Sequence, residues 1–585
     1  MKHNYRYLNY VGDSQFENRF ATTEEMQAAL TRLDISDPSK PLPAGGVPLI
    51  SDTKTVYADT QDYHTLILGS TGSMKTRTLI VPTILTLGLA DENLVIADPK
   101  GELYDFTSGY LQSRGYQIHV LNLRDMQHSD CWNPLAEAYA LYHAGEFEAG
   151  LNIAHEFVNS ITQRVSDQKS PSWALAARQL LDGLVELMIR GATRPEECNP
   201  GSLSTLLSHV KNADEGGNPS GFMVSINQSN RTFLEFVNSL PEGCSIKNNL
   251  FSAVNMSKTA TATLAGVLDN AYSSIAAFTS SRSLMALTSA TTFDIHDLAK
   301  LEGKHAIFLI VPDEDTTHHF VVTSFIKQLY TTMVKESYQQ SNGQLPRRLN
   351  FVLDEFANLP YIQDMPQMIT AARSRNMRFF LVVQSDNQLH STYGEDAETI
   401  KTNCLNWVYL STKEDQLIQQ IQRMVGVRGN GSREPLISYQ ELSAMRKVIG
   451  EKGGADALVL MHRCRPYVSF MPDIARYKQF ALLEKVPFPE VTAKFQVFDL
   501  EERVLTMDED EAESVFGQDG FRPFEHTPEE GEAEPEPEPQ PDKKPRVPPN
   551  PFAGHEHKTP ELEPDPEDAD MLSGILKKLN DLPDE

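Results

Sequence analysis

From Thr65 to Pro82 the chain reads TLILGSTGSMKTRTLIVP. A short apolar run, a glycine-rich turn, Lys75-Thr76 and a helix-forming segment follow in that order, which is the order of a phosphate-binding P-loop. Glycines let backbone N–H groups curl around an anion, and a helix N-terminus adds partial positive charge. Lys75 is placed to reach the β- and γ-phosphates of ATP, and Thr76 to hold Mg²⁺. The expected nucleotide cradle is Gly69, Ser70, Thr71, Gly72, Ser73, Met74, Lys75, Thr76 and Arg77. The pattern G-x-x-x-x-G-K-[ST] is broken once, because Met74 stands where the second glycine belongs. A Cβ there adds bulk at the tightest point of the loop, and adds strain if the backbone needs φ > 0.

Two further stretches carry chemistry. Leu353-Asp354-Glu355 closes an apolar run. An acidic pair at a strand end, downstream of a P-loop, can orient the Mg²⁺ shell (Asp354) and polarise an attacking water (Glu355). The bland alternative is a pair of solvated carboxylates. Gln384 ends the next apolar run, MRFFLVVQS, where an amide could sense the γ-phosphate. Arg373 and Arg375 stand just before that run and Arg378 at its start. One of them could act on a neighbouring subunit's nucleotide; a solvated basic loop or a DNA-contacting patch fits them as well. His318-His319 reads as surface at a helix start, and no zinc or Ser-His-Asp spacing emerges.

These residues need a scaffold. Leu94 to Ala97 is a continuous apolar strand, as in a parallel sheet covered on both faces. Asp98-Pro99-Lys100-Gly101-Glu102 follows at its C-terminal end, where such folds place ligand-contacting loops. Strands are also expected at 116–123, 305–312, 349–356, 377–385 and 406–412, with helices between several of them. The fold class is therefore α/β: a RecA-like nucleotide-binding domain with a mainly parallel sheet, from 56–132 and 291–484. Residues 133–290 change to helical periodicity and read as an inserted all-α domain. Residues 1–55 form an N-terminal segment in which 20–34 reads as one capped helix.

Of 585 residues, 80 are acidic and 52 basic, a net charge of −28. Residues 501–585 hold 26 acidic and 8 basic side chains, so −18 of that charge lies at the C-terminal end. A strongly acidic chain is a poor non-specific DNA binder, although the nearly balanced body leaves room for a local basic pore. Residues 485–585 read as a disordered tail rich in Pro and Glu. Near its end, 568–581 carries an amphipathic stripe (Met571, Leu572, Ile575, Leu576, Leu579) suited to docking a partner. Five cysteines without paired spacing point to a reducing, cytoplasmic setting. No apolar run of about 18 residues predicts a membrane span.

TLILGSTGSMKTR, LVIADPKGELYDF, NFVLDEFANLP and RSRNMRFFLVVQSDNQL, in that order with a helical insertion after the second, resemble the type IV coupling protein family. These are conjugative DNA-transfer P-loop ATPases related to FtsK/HerA-type pumps. The resemblance covers roughly residues 20–480. It implies a RecA-like motor, an all-α domain that recruits substrate, and a hexameric ring. It also implies ATP-driven delivery of relaxase-bound single-stranded DNA to a type IV secretion channel. By the same resemblance Lys75 and Thr76 bind phosphates and Mg²⁺, Asp354 and Glu355 form the second acidic motif, Gln384 is the sensor and Arg375 the trans arginine. Members usually begin with membrane-spanning helices, and none is read here. Either a partner protein supplies the anchor at the inner face of the membrane, or the chain is a soluble or truncated variant. Two rival functions are a non-hydrolysing adaptor that recruits relaxase or effectors, and a cytosolic HerA-type DNA pump.

Overall fold

The computed structural model describes residues 18–516, apart from 164–170, 213–232, 251–260, 313–317, 429–433, 463, 481–482, 494, 506 and 508. Its centre is a ten-stranded sheet. The strands are β4 (Thr65–Leu68), β5 (Asn93–Asp98), β6 (Gln117–Asn122), β7 (His305–Ile310), β8 (Leu349–Leu353), β9 (Met377–Val383), β10 (Asn406–Tyr409), β11 (Lys447–Val448), β12 (Gly454–Met461) and β13 (Tyr467–Pro472). Their order is β11-β12-β10-β4-β9-β8-β5-β7-β6, with β13 pairing β12. From β10 to β6 every pairing is parallel; β12 joins β10 antiparallel, and β11 and β13 join β12 antiparallel.

Alternation along the strands explains why the sheet is covered on both sides. Leu66 and Leu68 of β4 enter one apolar cluster and Ile67 enters the other. Val95 and Ala97 of β5 face the first, Leu94 and Ile96 the second. Because both faces are dry, the strands lack polar alternation and read as continuous apolar runs. One face is covered by the helices Val81–Leu89 and Glu102–Ser113 and by a small sheet. The other is covered by the helices His319–Gln339 and Met365–Ala372 and by the helical segment between β6 and β7. The described elements of that segment are all helices, chiefly Phe147–Gln163, Pro171–Gly191, Pro200–Asn212 and Thr261–Thr279. Leu180, Leu184, Met188 and Val267 join the same apolar cluster as Leu121 of β6 and Phe325 of the sheet-covering helix.

Three local expectations are corrected. The N-terminal helix is shorter, Thr23–Ala29, with Thr22 and Glu25 forming a capping box. Leu30 is the buried C-cap of that helix, and Leu33 is buried in a strand instead: β1 (Thr31–Asp34) joins β3 (Thr55–Asp59), which joins β2 (Val47–Ser51). The chain also does not leave the body at 485. Phe498, Leu500, Val504 and Phe516 are buried against the helical segment, and Arg190 Nη1 donates to the Phe516 carbonyl at 3.0 Å. Finally, His319 is buried, with Nε2 against the Pro312 carbonyl. The acidic run after 516 and the amphipathic stretch 568–581 lie outside the described residues.

Candidate functional site

The P-loop leaves β4 in the middle of the sheet, at the C-terminal edge of the parallel strands. Its entry is pinned to both neighbours: Gly69 N–H donates to Val383 O of β9 (3.2 Å), and Ser70 N–H to Ser411 O after β10 (2.8 Å). Gly69 has no room for a side chain, since a Cβ there would lie 2.7 Å from Ser73 Oγ. Gly72 has φ +77° and Met74 φ +72°. The second-glycine position therefore does take the left-handed backbone that methionine disfavours. The Met74 side chain is half-buried and packs on the apolar cluster beneath the loop.

After Lys75 the chain enters a wide π-turn, Thr76–Ile80, before the α-helix Val81–Leu89. Val81 N–H bonds back to Thr76 O. Pro82 accounts for the widening: it has no N–H, and its ring would strike the residue-78 carbonyl in a regular helix. The turn falls directly behind Lys75; π-turns inside helices recur at functional sites.

Sheet order brings the acidic pair to the loop. β9 lies between β4 and β8, so Gln384 stands between the P-loop and Asp354. Thr71 Oγ1 donates to Gln384 Oε1 at 2.7 Å, a direct tie across 313 residues of sequence. Asp354, Glu355 and Lys75 are each less than a tenth exposed. Lys75 Nζ donates to the loop carbonyls of Gly69 (2.5 Å) and Ser70 (3.3 Å). Glu355 has φ +52°, a strained backbone held by its neighbours: its N–H meets Asp354 Oδ1 (3.0 Å) and Asn358 Nδ2 donates to its Oε2 (2.5 Å). Lys100, from the loop after β5, lies 3.5 Å from Glu355 Oε1. The sequence marks that loop as ligand-contacting without singling out Lys100, whose one signal is its place directly behind Asp98-Pro99.

Electrostatics of the cluster follow from burial. Burial pushes the Asp354 carboxyl up to about 7; the nearby Glu355 and Asp98 add repulsion, and Lys75 opposes it. Burial likewise raises Asp98 to about 6 and draws the Lys75 ammonium down, against the pull of Asp354 and Glu355. Burial thus favours the neutral carboxyl at both Asp354 and Asp98.

The residues present fit a nucleotide with Mg²⁺. Ser73 Oγ is buried at the loop without a hydrogen-bond partner among the described residues, and Lys75 Nζ donates to carbonyls of its own loop. Among the described residues no cluster of three or more His, Cys, Asp or Glu side chains forms a metal cage. Mg²⁺ takes one or two protein ligands and completes its shell with phosphates and water, so it needs no such cage.

The three arginines do not join the site. Arg375 precedes β9 by two residues, while Gln384 follows its end. At about 3.3 Å rise per residue they are separated by roughly 25–30 Å, on opposite sheet edges. Arg375 Nη1 donates to Ala371 O (2.8 Å), and its guanidinium sits over the Tyr338 ring. Arg373 pairs with Asp62. Arg378 is buried, bound to Glu92 (3.0 Å) and Asn350 (2.9 Å), and serves the fold.

A family model described as type IV secretory system conjugative DNA transfer matches residues 18–432. The chain belongs to that family. Among its relatives, protein VirD4 of Rhizobium rhizogenes is 24% identical over 380 residues, covering 62% of this chain and 49% of VirD4. Conjugal transfer protein TraG of Rhizobium radiobacter is 23% identical over 419 residues, covering 66% and 58%. The chain thus spans about half the length of the curated relatives it matches. In fold it is similar to plasmid coupling protein TrwB solved with the ATP analogue ADPNP (TM-score 0.52, 15% identity, 83% of this chain and 97% of TrwB). TrwB solved with ADP and Mg²⁺ is comparable (TM-score 0.53, 15% identity, 81% and 96%). Among the described residues no helix is long and apolar enough to cross a membrane.

Proposed function

We propose that this chain is the coupling ATPase of a conjugative transfer system. It binds ATP with Mg²⁺ at the P-loop and hydrolyses it to deliver relaxase-bound single-stranded DNA to a type IV secretion channel. The observation that carries this reading is the convergence of Lys75, Gln384 and the Asp354-Glu355 pair at one sheet edge, tied by the Thr71–Gln384 hydrogen bond. In this reading Lys75 and the loop N–H groups hold the phosphates, with Thr76 and Asp354 holding Mg²⁺. Glu355, oriented by Asn358 and Lys100, positions the attacking water, and Gln384 reads the γ-phosphate. When bound, Mg²⁺ supplies charge neutralisation at the transferring phosphoryl group. Arg375, remote from its own chain's loop, is assigned to the nucleotide of a neighbouring copy in a hexameric ring. Residues 56–132 and 291–484 would act as the motor, and 133–290 as the part that recruits the relaxase. The acidic residues beyond 516 would tether a docking segment at 568–581. The ring works at the cytoplasmic face of the membrane.

Titration calorimetry with ATP–Mg²⁺ tests the core of the proposal. Binding heat is expected for the wild type and not for Lys75→Ala. Equal heats, or none in either, refute nucleotide binding at this loop. One observation favours a second reading, an adaptor that binds ATP but turns it over slowly: the left-handed Met74 backbone. A wild type with brisk DNA-stimulated turnover excludes the adaptor, and a Met74→Gly variant far faster than a nearly inactive wild type establishes it.

A further inference from the structure

Strand β12 is eight residues long, while its partner β10 has four. Only the second half of β12 pairs β10: Leu458 to Met461 against Tyr409 to Asn406. The first half overshoots the C-terminal edge of the parallel strands, where the P-loop sits. β11 pairs this overhang at Ala455 and Gly454, and β13 pairs its other side. The overhang presents two charged side chains to the loop. Lys447 Nζ, from β11, donates to the Gly72 carbonyl at 2.6 Å. Asp473, directly after β13, takes Arg77 in a two-point ion pair, Nε–Oδ2 and Nη2–Oδ1 both 2.7 Å. Asp473 is itself fixed: its N–H bonds to Gly453 O (3.0 Å) and its Oδ1 accepts from Ala475 N–H (2.8 Å). Lys447, β12 and Asp473 all lie beyond residues 18–432, where the family model matches.

Gly72 and Arg77 bracket the strained residue. Between the two tethered points the chain must pass through Met74 at φ +72°. With glycine at 74 the left-handed turn would cost little, and the loop could hold its shape unaided. With methionine the turn has a competitor, relaxation of residue 74 out of the left-handed region. That rotation would swing the Ser73 and Lys75 peptides and displace Gly72 relative to Arg77. A two-ended tether opposes such relaxation because it fixes both flanks. The carbonyl taken by Lys447 also orients the peptide that carries the Ser73 N–H.

We propose that Lys447 and Asp473 are positioning residues: the β11–β13 overhang clamps the P-loop at Gly72 and Arg77, and thereby keeps Met74 in the left-handed conformation that phosphate binding requires. The last clause rests on the nucleotide reading; the clamp itself does not. The first measurement is therefore made without nucleotide, by hydrogen exchange and mass spectrometry on peptides covering 69–80 in the full chain. Lys447→Ala is expected to speed exchange of that segment about tenfold, and Lys447→Arg to restore it. In a Met74→Gly background the same Lys447→Ala change is expected to speed exchange less than about threefold, since the two mutations share one function. Asp473→Asn, which keeps the side-chain shape, should follow the same pattern more weakly. Equal acceleration in both backgrounds, or none, overturns the clamp. ATP–Mg²⁺ affinity is then compared in wild type, Lys447→Ala, Met74→Gly and the double variant. Weakening by Lys447→Ala that is rescued in the Met74→Gly background supports the link to phosphate binding. Coupled exchange without any coupled affinity change leaves the clamp standing and refutes that link. A merely structural role would lower melting temperature in both backgrounds alike and leave no coupling.

Discussion

Replacing Met74 by alanine and, separately, by glycine isolates the strain at the centre of the P-loop. Both changes remove the same half-buried thioether side chain, so its packing loss largely cancels between them. What remains is the backbone. At φ +72° a residue with a Cβ carries roughly 1–2 kcal/mol that glycine does not. Glycine gives back about 0.4–1 kcal/mol through the greater freedom of its unfolded chain. Met74→Gly is therefore expected to be more stable than Met74→Ala by about 1 kcal/mol. At a right-handed position the order would reverse, with alanine better by about 0.5–1 kcal/mol. The sign is the test. Unfolding entropy of about 2.1 cal/mol/K per residue, over a body of roughly 450 residues, makes 1 kcal/mol equal to about 1 °C. Calorimetric melting of the two variants at matched scan rate, without nucleotide, resolves that difference. An alanine variant that melts above the glycine variant would refute the left-handed assignment, and with it the argument for a clamp.

Two other perturbations read the site and the core. Asp354 keeps its proton to about pH 7 in the fold but ionises near pH 4 when unfolded. The folded state thus binds the extra proton between those values, and this group takes stability away as pH rises through the window, on the order of 4 kcal/mol in all. Without nucleotide or divalent ions, the melting temperature of Asp354→Asn relative to wild type should rise by a few degrees between pH 5 and pH 8; a flat difference would contradict the raised carboxyl. Arg378→Ala should cost about 3–5 kcal/mol in chemical denaturation, because it strips the buried Glu92 of its closest cationic partner. A loss under 1 kcal/mol would show that Arg348 alone suffices.

The local chemistry was legible in the amino-acid order. Continuous apolar strands, the Gly69–Thr76 loop, Asp354-Glu355 and Gln384 depend on neighbours a few residues away, so their types and spacing announce a P-loop α/β sheet. Even the strain at Met74 was visible as a broken pattern. What the tertiary structure decided is which distant pieces meet. Strand order placed β9 between β4 and β8 and so brought Gln384 to Thr71, and the direction of β9 left Arg375 at the far edge. Pairing with β3 turned Leu33 from a helix face into a strand residue. The antiparallel overhang carried Lys447 to Gly72 across 375 residues and Asp473 to Arg77 across 396. Nothing in the types or spacing of Lys447 and Asp473 marks them, because a single charged side chain acquires its meaning from the backbone it reaches. The phosphate loop is written locally in residues 69–76, whereas the contacts that hold it in shape arise only when the sheet closes around it.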